Sequence, residues 1–232
     1  MGDTLRLGNP PIDILLRRSA RARRLTLRVS RIDGRVTLTL PPRVADREAL
    51  RFAREREGWL RAHIDGRSPP APPLAPGATV LFEGRPLPLV AARVRGPRLE
   101  EGVLKLPDDA APCGPRVAAF LRTAARDRLA RASDHHAAAL GRPYGRITLR
   151  DTRSRWGSCT SEGNLMYSWR LVMAPPEVLD YVAAHEVAHL LEMNHSRAFW
   201  AVVARLMPGY DAHRHWLRTH GAELHAVRFD GA

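Results

Sequence analysis

Apolar and polar residues alternate on both sides of an aspartate-glycine pair in the segment RRLTLRVSRIDGRVTLTLPP. This period of two is typical of half-buried strands, and Asp-Gly favours a tight hairpin turn. The segment therefore predicts a β-hairpin that turns at Asp33 and Gly34. The segment that follows it, VADREALRFAREREGWLRAHI, has the apolar spacing of an amphipathic helix.

Further along the chain, short strand patterns give way to helical ones. The proline-rich stretch SPPAPPLAP interrupts regular structure and separates two patterned regions. Beyond it, the pattern predicts strands at 78–94 with a turn at Glu83-Gly84, a strand at 103–106, a helix at 115–140, two strands joined near 162–164, and helices at 177–193, 196–206 and 210–220. Pro175 and Pro176 suit the first turn of a helix.

These elements predict an α+β protein in three parts. Residues 1–67 form an N-terminal region of β-hairpin plus helix, and residues 68–76 form a linker or loop. Residues 77–232 begin with β-strands and continue into a mostly helical domain whose core spans 142–220.

The composition is that of a globular protein, with 44% hydrophobic and 26% charged residues. No apolar run approaches the roughly 20 residues that a bilayer requires, so no membrane partner is expected. Cys113 and Cys159 are too few for a disulfide framework. The basic cluster near the N-terminus follows its short apolar piece, the reverse of a secretory signal. A cytoplasmic location is the simplest expectation.

The net charge of +13 is unevenly distributed. Lys105 is the one lysine, and eight arginines lie between Arg17 and Arg35 against Asp33 alone. A basic patch of this kind predicts a possible nucleic-acid or other polyanion partner. The alternative is a solvated hairpin face in a chain whose arginine bias follows from a GC-rich coding sequence.

The strongest chemical signal is the segment AAHEVAHLLEMNHSRAFW. His185 and His189 are four residues apart, so a helix presents both imidazoles on one face, where they can bind one zinc ion. Glu186 lies about 100° around the helix from His185. From there its carboxylate can take a proton from a metal-bound water, which is the chemistry of the H-E-x-x-H pattern.

His195 is the predicted third ligand of this site. A continuous helix would turn His195 away from His189, so the helix must stop before it. Asn194 is predicted to provide that stop in a left-handed conformation, and Ser196 to cap the next helix. The alternative is a pair of buried histidines bonded to carbonyls, which leaves Glu186 buried without a partner. The spacing thus favours one zinc ion per chain.

Three segments resemble the YgjP-like metallopeptidase domain family: SRWGSCTSEGNL, SWRLVMAPPEVLDYVAAHEVAHLLEMNHSRAFW and MPGYDAHRHWL. The resemblance implies a zincin-like catalytic domain with an active-site helix packed under a small sheet. It also implies His185, His189 and His195 as zinc ligands, Glu186 as general base, and a protein or peptide substrate. The ligand spacing is similar to that of SprT-like and Wss-type proteases.

Analogy with zincins also suggests residues that contact the substrate. In those enzymes a strand above the helix binds an extended peptide. The strand predicted at Leu165–Val172 would supply that rim through 164–169. The candidate substrate-binding residues are Arg153, Arg155, Asn164, Tyr167 and Tyr210, with the arginines for a carboxylate or an oxyanion and Tyr210 as an oxyanion donor.

Two functions from different classes fit the sequence. The first is a zinc-dependent hydrolase, most simply a metallopeptidase, with an HExxH-x5-H site. The alternative is a nucleic-acid- or polyanion-binding protein whose zinc site is structural or vestigial. The intact Glu186 favours catalysis, because structural zinc sites usually complete their coordination with a fourth protein ligand. The sequence does not fix the oligomeric state.

Overall fold

The computed structural model describes residues 3–30, 34–65, 74–109 and 111–229. The chain divides into two compact units, residues 1–70 and 71–232. The division falls within the predicted linker at 68–76, of which residues 68–73 lie outside the described residues. Each unit buries its own cluster of apolar side chains. Helices and small sheets together confirm the predicted α+β class.

The N-terminal unit is a four-stranded sheet followed by two helices. Its elements are β1 (Thr4–Leu7), β2 (Ile12–Arg18), β3 (Thr26–Val29), β4 (Val36–Leu40), α1 (Asp46–Arg54) and α2 (Glu57–Asp65). The strand order is β1-β2-β4-β3, with β2 and β4 parallel and the other two pairs antiparallel. The predicted hairpin strands are confirmed as β3 and β4, whereas Asp33 of the predicted turn lies outside the described residues.

Alternation explains how this sheet buries one face. In β4, Val36, Leu38 and Leu40 are buried while the threonines between them are only half-buried. These side chains pack with Ile14 of β2 and Leu60 of α2, all of which are inaccessible to solvent. Burial of large apolar side chains at about 25 cal/mol per Å² is the main force that holds such a sheet to its helices.

The second unit begins with another four-stranded sheet. Its strands are β5 (Thr79–Phe82), β6 (Arg85–Ala92), β7 (Arg98–Glu100) and β8 (Val103–Pro107), in the order β5-β6-β8-β7. The predicted turn at Glu83-Gly84 is confirmed, and both residues have positive φ, at 50° and 75°. The predicted long helix is confirmed as α3 (Cys113–Leu140), which ends at the left-handed Gly141.

The remainder of the second unit carries the histidine segment. It comprises β9 (Ile147–Arg150), β10 (Gly157–Cys159), β11 (Leu165–Ser168), a 3-10 helix (Trp169–Met173), α4 (Pro176–Ala188), α5 (Arg197–Leu206) and α6 (Tyr210–Ala226). The three strands form a sheet in the order β10-β11-β9. Pro176 begins α4, as predicted. The strand predicted at Leu165–Val172 is shorter than expected, because the chain turns into the 3-10 helix after Ser168.

Helix α4 is buried on most of its surface. It contacts α3, α5, α6 and the 3-10 helix, and residues Val182, Ala183, Ala184, Val187 and Ala188 are all within 3% of full burial. The small alanines allow neighbouring elements to approach α4 closely, which fixes the helix in the core. Among the described residues, no helix combines the length and the apolar character needed to cross a membrane.

Candidate metal centre

Helix α4 supplies two histidines and a glutamate to one place near its C-terminal end. The His185 and His189 rings lie on the same side of the helix, with their centroids 5.2 Å apart. The helix ends at Ala188, and His189 is its C-cap, with helical backbone angles of φ −66° and ψ −14°. The spacing of four residues therefore places the two imidazoles side by side, as predicted.

The chain leaves α4 earlier than predicted. The predicted helix at 177–193 is present as α4 but already ends at Ala188. The left-handed stop at Asn194 is wrong, because Glu83 and Glu101 are the non-glycine residues with positive φ among those described. Instead, the N–H groups of Leu191 and Glu192 both donate to the carbonyl of Ala188, which makes a compact turn. The predicted cap of the next helix is confirmed, since the Ser196 hydroxyl accepts from the Phe199 N–H.

This turn brings His195 to the two histidines of α4. The potential ligand atoms of His185, His189 and His195 all lie within 4.8 Å of one another. Nε2 of His195 is 3.0 Å from Nε2 of His185. The Phe199 ring packs against all three imidazoles, with centroid distances of 4.9, 4.4 and 4.8 Å. The predicted convergence of the three histidines is therefore present in the fold.

The protonation state of these histidines suits a metal ion. Nδ1 of His189 donates to the carbonyl of Glu192 at 2.9 Å, which leaves Nε2 with a free lone pair. Burial lowers the pKa of His185 to about 3, with smaller contributions from His189 and His195, and burial also lowers the pKa of His189. Neutral imidazole is the form that binds zinc, so this donor set fits a divalent ion that accepts nitrogen ligands.

Glu186 follows His185 directly in α4 and is buried. Its residue is only 5% exposed, and burial raises the pKa of its carboxyl to about 8, while Arg155 acts in the opposite direction. No hydrogen bond to the carboxylate is present among the described residues. A buried carboxyl with a raised pKa, on the helix that carries two histidines of the cluster, is a candidate for a group that accepts a proton during catalysis.

Gly157 of β10 makes room for the Glu186 side chain. A Cβ atom at position 157 would lie 2.5 Å from Oε1 of Glu186 and 2.7 Å from its Cδ. Such distances are shorter than any van der Waals contact, so a larger residue would displace the carboxylate. The glycine between Trp156 and Ser158 thus has a specific role that the sequence analysis did not identify.

We expect Gly157→Ala to lower the hydrolytic kcat/KM about 10- to 100-fold, because misplacement of a catalytic group by about 1 Å can cost that much. Metal content should stay at the wild-type level, since no histidine is touched. The assay is cleavage of a fluorescein-labelled unstructured protein, beside elemental analysis. Gly96→Ala is the matched control, because a Cβ there would meet nothing within 4 Å. Full activity of Gly157→Ala would show that the position of Glu186 is not critical.

The strand beside the metal centre is β10, and not β11 as predicted. β11 pairs with β10 on one side and with β9 on the other, so its backbone has no free edge. β10 is an outer strand of this sheet and contacts α4. The predicted substrate rim at 164–169 is therefore wrong, because a peptide can add only to a strand with an unpaired edge.

The predicted substrate-binding residues occupy different environments. Tyr167 is fully buried, with its hydroxyl 3.0 Å from that of Ser133, so it belongs to the core and does not reach a substrate. Asn164 accepts a hydrogen bond from the Arg146 N–H at 3.3 Å and stabilises its own turn. Arg155 is exposed near Glu186, and Arg153 lowers the pKa of His225, as a smaller contribution than burial.

Tyr210 belongs to an aromatic stack that the sequence analysis did not identify. Its ring lies 5.3 Å from Trp200 and 6.2 Å from Tyr181, nearly parallel to both. The Arg214 guanidinium covers Trp200 at 4.5 Å, and Trp200 contacts the His185 and His195 rings at 5.6 and 5.9 Å. Tyr181 could have been found, because it is four residues before His185 on the same face of α4.

The fold and the three-histidine centre define an α+β protein of the metal-dependent hydrolase class. The chain belongs to the YgjP-like metallopeptidase domain family, whose model, described as "YgjP-like, metallopeptidase domain", matches residues 23–220. The resemblance found in the sequence is thereby confirmed. Among solved structures, the metallopeptidase zymogen abylysin of Pyrococcus abyssi is similar, with 22% identity and a TM-score of 0.36 over 40% of this chain and 92% of that one. No curated protein matches.

Proposed function

We propose that this chain is a zinc-dependent peptidase in which His185, His189 and His195 hold one zinc ion and Glu186 is the general base. The observation that supports this best is the convergence of three imidazoles, of which His185 is part of the helix that carries the buried Glu186. Three histidine ligands leave a tetrahedral metal open on one side, which distinguishes catalytic from structural zinc sites. His195 is exposed, so the open side of the centre is accessible from solvent.

When bound, zinc would polarise the scissile carbonyl and increase the acidity of the attacking water. The protein's own part is proton transfer and positioning. Glu186 takes the proton of the water at its carboxylate and later delivers it to the leaving nitrogen. Burial makes this carboxylate a stronger base than a surface glutamate. Gly157 leaves the space beside β10 that the carboxylate occupies.

The proposed substrate is an extended peptide. The outer strand β10 offers an unpaired backbone beside Glu186, and main-chain hydrogen bonds to such an edge hold a peptide in extended form. Arg155, exposed and close enough to oppose the pKa shift of Glu186, is the candidate residue for a substrate carboxylate or the developing oxyanion. The positions of Tyr167 and Asn164 support structural roles instead.

The first test is metal content per chain, by elemental analysis of protein purified without a metal-affinity column. We expect about one zinc per chain in wild type and in Glu186→Ala, and clear loss in His195→Ala, because the first change removes no ligand. His135→Ala, an exposed histidine of α3, is the matched control. Full retention of metal in His195→Ala would contradict the proposed ligand set.

The alternative is a binding protein with a purely structural metal. Glu186 argues against it, because a buried carboxyl without a hydrogen bond is costly and a structural site gains nothing from it. The distinguishing measurement is cleavage of an unstructured protein by wild type, its suppression by a zinc chelator, and its recovery on adding zinc. A metal-loaded wild type that cleaves no peptide bond would favour the alternative.

A further inference from the structure

A groove of about 740 Å³ runs along strand β3 in the N-terminal unit, and none of the residues proposed above for catalysis lines it. We call it the β3 groove. It is lined by Arg24, Leu25, Thr26, Leu27, Phe52, Arg56 and Trp59. Thr26 and Leu27 belong to β3, and Arg24 and Leu25 lie just before it. The other three residues come from α1, α2 and the turn between these helices. The groove combines cationic, aromatic and backbone groups, and each kind of group indicates a property of the ligand.

The charge of the β3 groove is positive. Arg24 lies on one wall, just before β3, and Arg28 is exposed further along the strand, outside the lining of the groove. Arg21 and Arg23 are exposed just before the strand. Within the described part of the N-terminal unit, none of these four guanidiniums has an acidic partner. Unpaired guanidiniums in a row attract a chain of phosphates.

The opposite wall is aromatic. Trp59 is 44% exposed, which is unusual for a large apolar ring, and its ring centroid lies 4.2 Å from that of His63 at a tilt of 34°. The Arg56 guanidinium lies 3.8 Å above the centre of the Phe52 ring, so a second flat surface faces the groove. Glu55 is 3.4 Å from Arg56, but both side chains are exposed to solvent, so the ion pair is weak and Arg56 remains available to an anionic ligand. Flat aromatic and guanidinium surfaces are the groups on which unpaired bases stack.

The floor of the groove carries unpaired backbone groups. β3 is an outer strand that pairs with β4 alone. The Ser30 N–H donates to the carbonyl of Arg35, and antiparallel pairs alternate, so Arg28 and Thr26 direct their backbone groups to β4. Leu27, between them, directs its N–H and C=O outward into the groove. These groups can bond to the edge of a base or to an extended peptide.

We propose that the β3 groove binds single-stranded nucleic acid, with Arg24 and Arg56 on the phosphates and Trp59 stacked on a base. The surplus of unpaired arginines favours a polyanion over a peptide of ordinary composition. The exposed indole favours a single strand over a duplex, whose bases are already stacked on one another. This inference goes beyond the proposed peptidase function and does not depend on it.

The test uses the full-length protein and fluorescence anisotropy with fluorescein-labelled probes: a mixed-sequence single strand, the same sequence as a duplex, and an acidic peptide of equal charge. We expect the single strand to bind most tightly, with an affinity that falls with salt by a log-log slope of about 0.7 per phosphate contacted. Trp59→Leu should weaken single-strand binding about 5- to 100-fold, and Trp59→Phe should restore most of it.

Charge variants separate the groove from general basicity. Arg24→Gln and Arg56→Gln should each reduce the salt slope by about 0.7. Arg126→Gln removes the same charge from the exposed side of α3 and should leave the slope unchanged. Glu186→Gln should bind like wild type, which separates this result from any failure of the catalytic proposal. The unfolding temperature of each variant is measured and should equal that of the wild type. Arg24, Arg56 and Arg126 are exposed, so their substitution by glutamine should leave the fold intact.

Three outcomes would overturn the proposal. The first is a duplex that binds as tightly as the single strand, which indicates only a basic patch. The second is an unchanged affinity in Trp59→Leu. The third is an acidic peptide that binds more tightly than the oligonucleotide, which assigns the open edge of β3 to a polypeptide.

Discussion

Glu186→Gln is expected to lower kcat/KM for peptide cleavage about 100- to 10,000-fold, the range that general-base catalysis usually contributes. The amide has the size of the carboxylate and fits the space beside Gly157, but it cannot accept a proton. Metal content should be unchanged, because the three histidines are intact. The measurement is steady-state cleavage of a labelled unstructured protein, normalised to the zinc content of each preparation.

Glu177→Gln is the matched control for this experiment. It makes the same substitution in the same helix, at an exposed position in the first turn of α4, and should leave the rate near the wild-type value. Two outcomes would contradict the assigned role. A fully active Glu186→Gln would mean that another group takes the proton, and a loss of zinc would mean that Glu186 belongs to the ligand set.

The sequence predicted the parts of the metal centre that depend on local spacing. His185 and His189 share a face of α4 because a helix repeats every 3.6 residues, and that geometry needs no information from the rest of the fold. Ser196 likewise acts within its own turn. The end of α4 was placed wrongly because the apolar pattern continues through Leu190 and Leu191, whereas the backbone forms a turn on Ala188.

The order of strands beside the centre could not be read from local pattern. β11 pairs in parallel with β9, in a register that joins Leu165 to Ile147, and this non-local pairing makes β11 the central strand. Tyr167 carried a usable signal, because it shares a face with Leu165 by period-two alternation, and both are buried. The role of Gly157 depends on a contact with a helix nearly 30 residues away and has no local signature.

The largest loss of stability is expected on replacing Arg170, which connects the 3-10 helix to the C-terminal segment by hydrogen bonds. Arg170 is 7% exposed and bonds to both carboxylate oxygens of Asp151, at 2.7 and 3.1 Å. The same guanidinium donates to the carbonyls of Leu224 and Val227, at 2.8 and 3.0 Å. One side chain thus bonds to acceptors on three residues, one at the end of β9 and two in the C-terminal segment.

Arg170→Met should lower the free energy of unfolding by about 2–4 kcal/mol, a large fraction of a typical 5–15 kcal/mol. Methionine keeps an apolar side chain beside Trp169 and Phe229 but loses the cation–π contacts of the guanidinium. It also leaves the carbonyls of Leu224 and Val227 without this donor. Asp151 is 40% exposed at its side chain and can regain water, which places the expected loss below that of a fully buried pair. Urea denaturation followed by far-ultraviolet circular dichroism measures the difference.

Arg150→Met is the control for the loss of an arginine, because Arg150 is exposed at the end of β9. It should change the free energy of unfolding by less than about 0.5 kcal/mol. Adding Asp151→Asn to Arg170→Met should cost little more than Arg170→Met alone, because the two changes remove the same interaction. Equal stabilities of Arg170→Met and Arg150→Met would show that the C-terminal segment is held by the packing of Phe229 and Leu224, and not by the guanidinium.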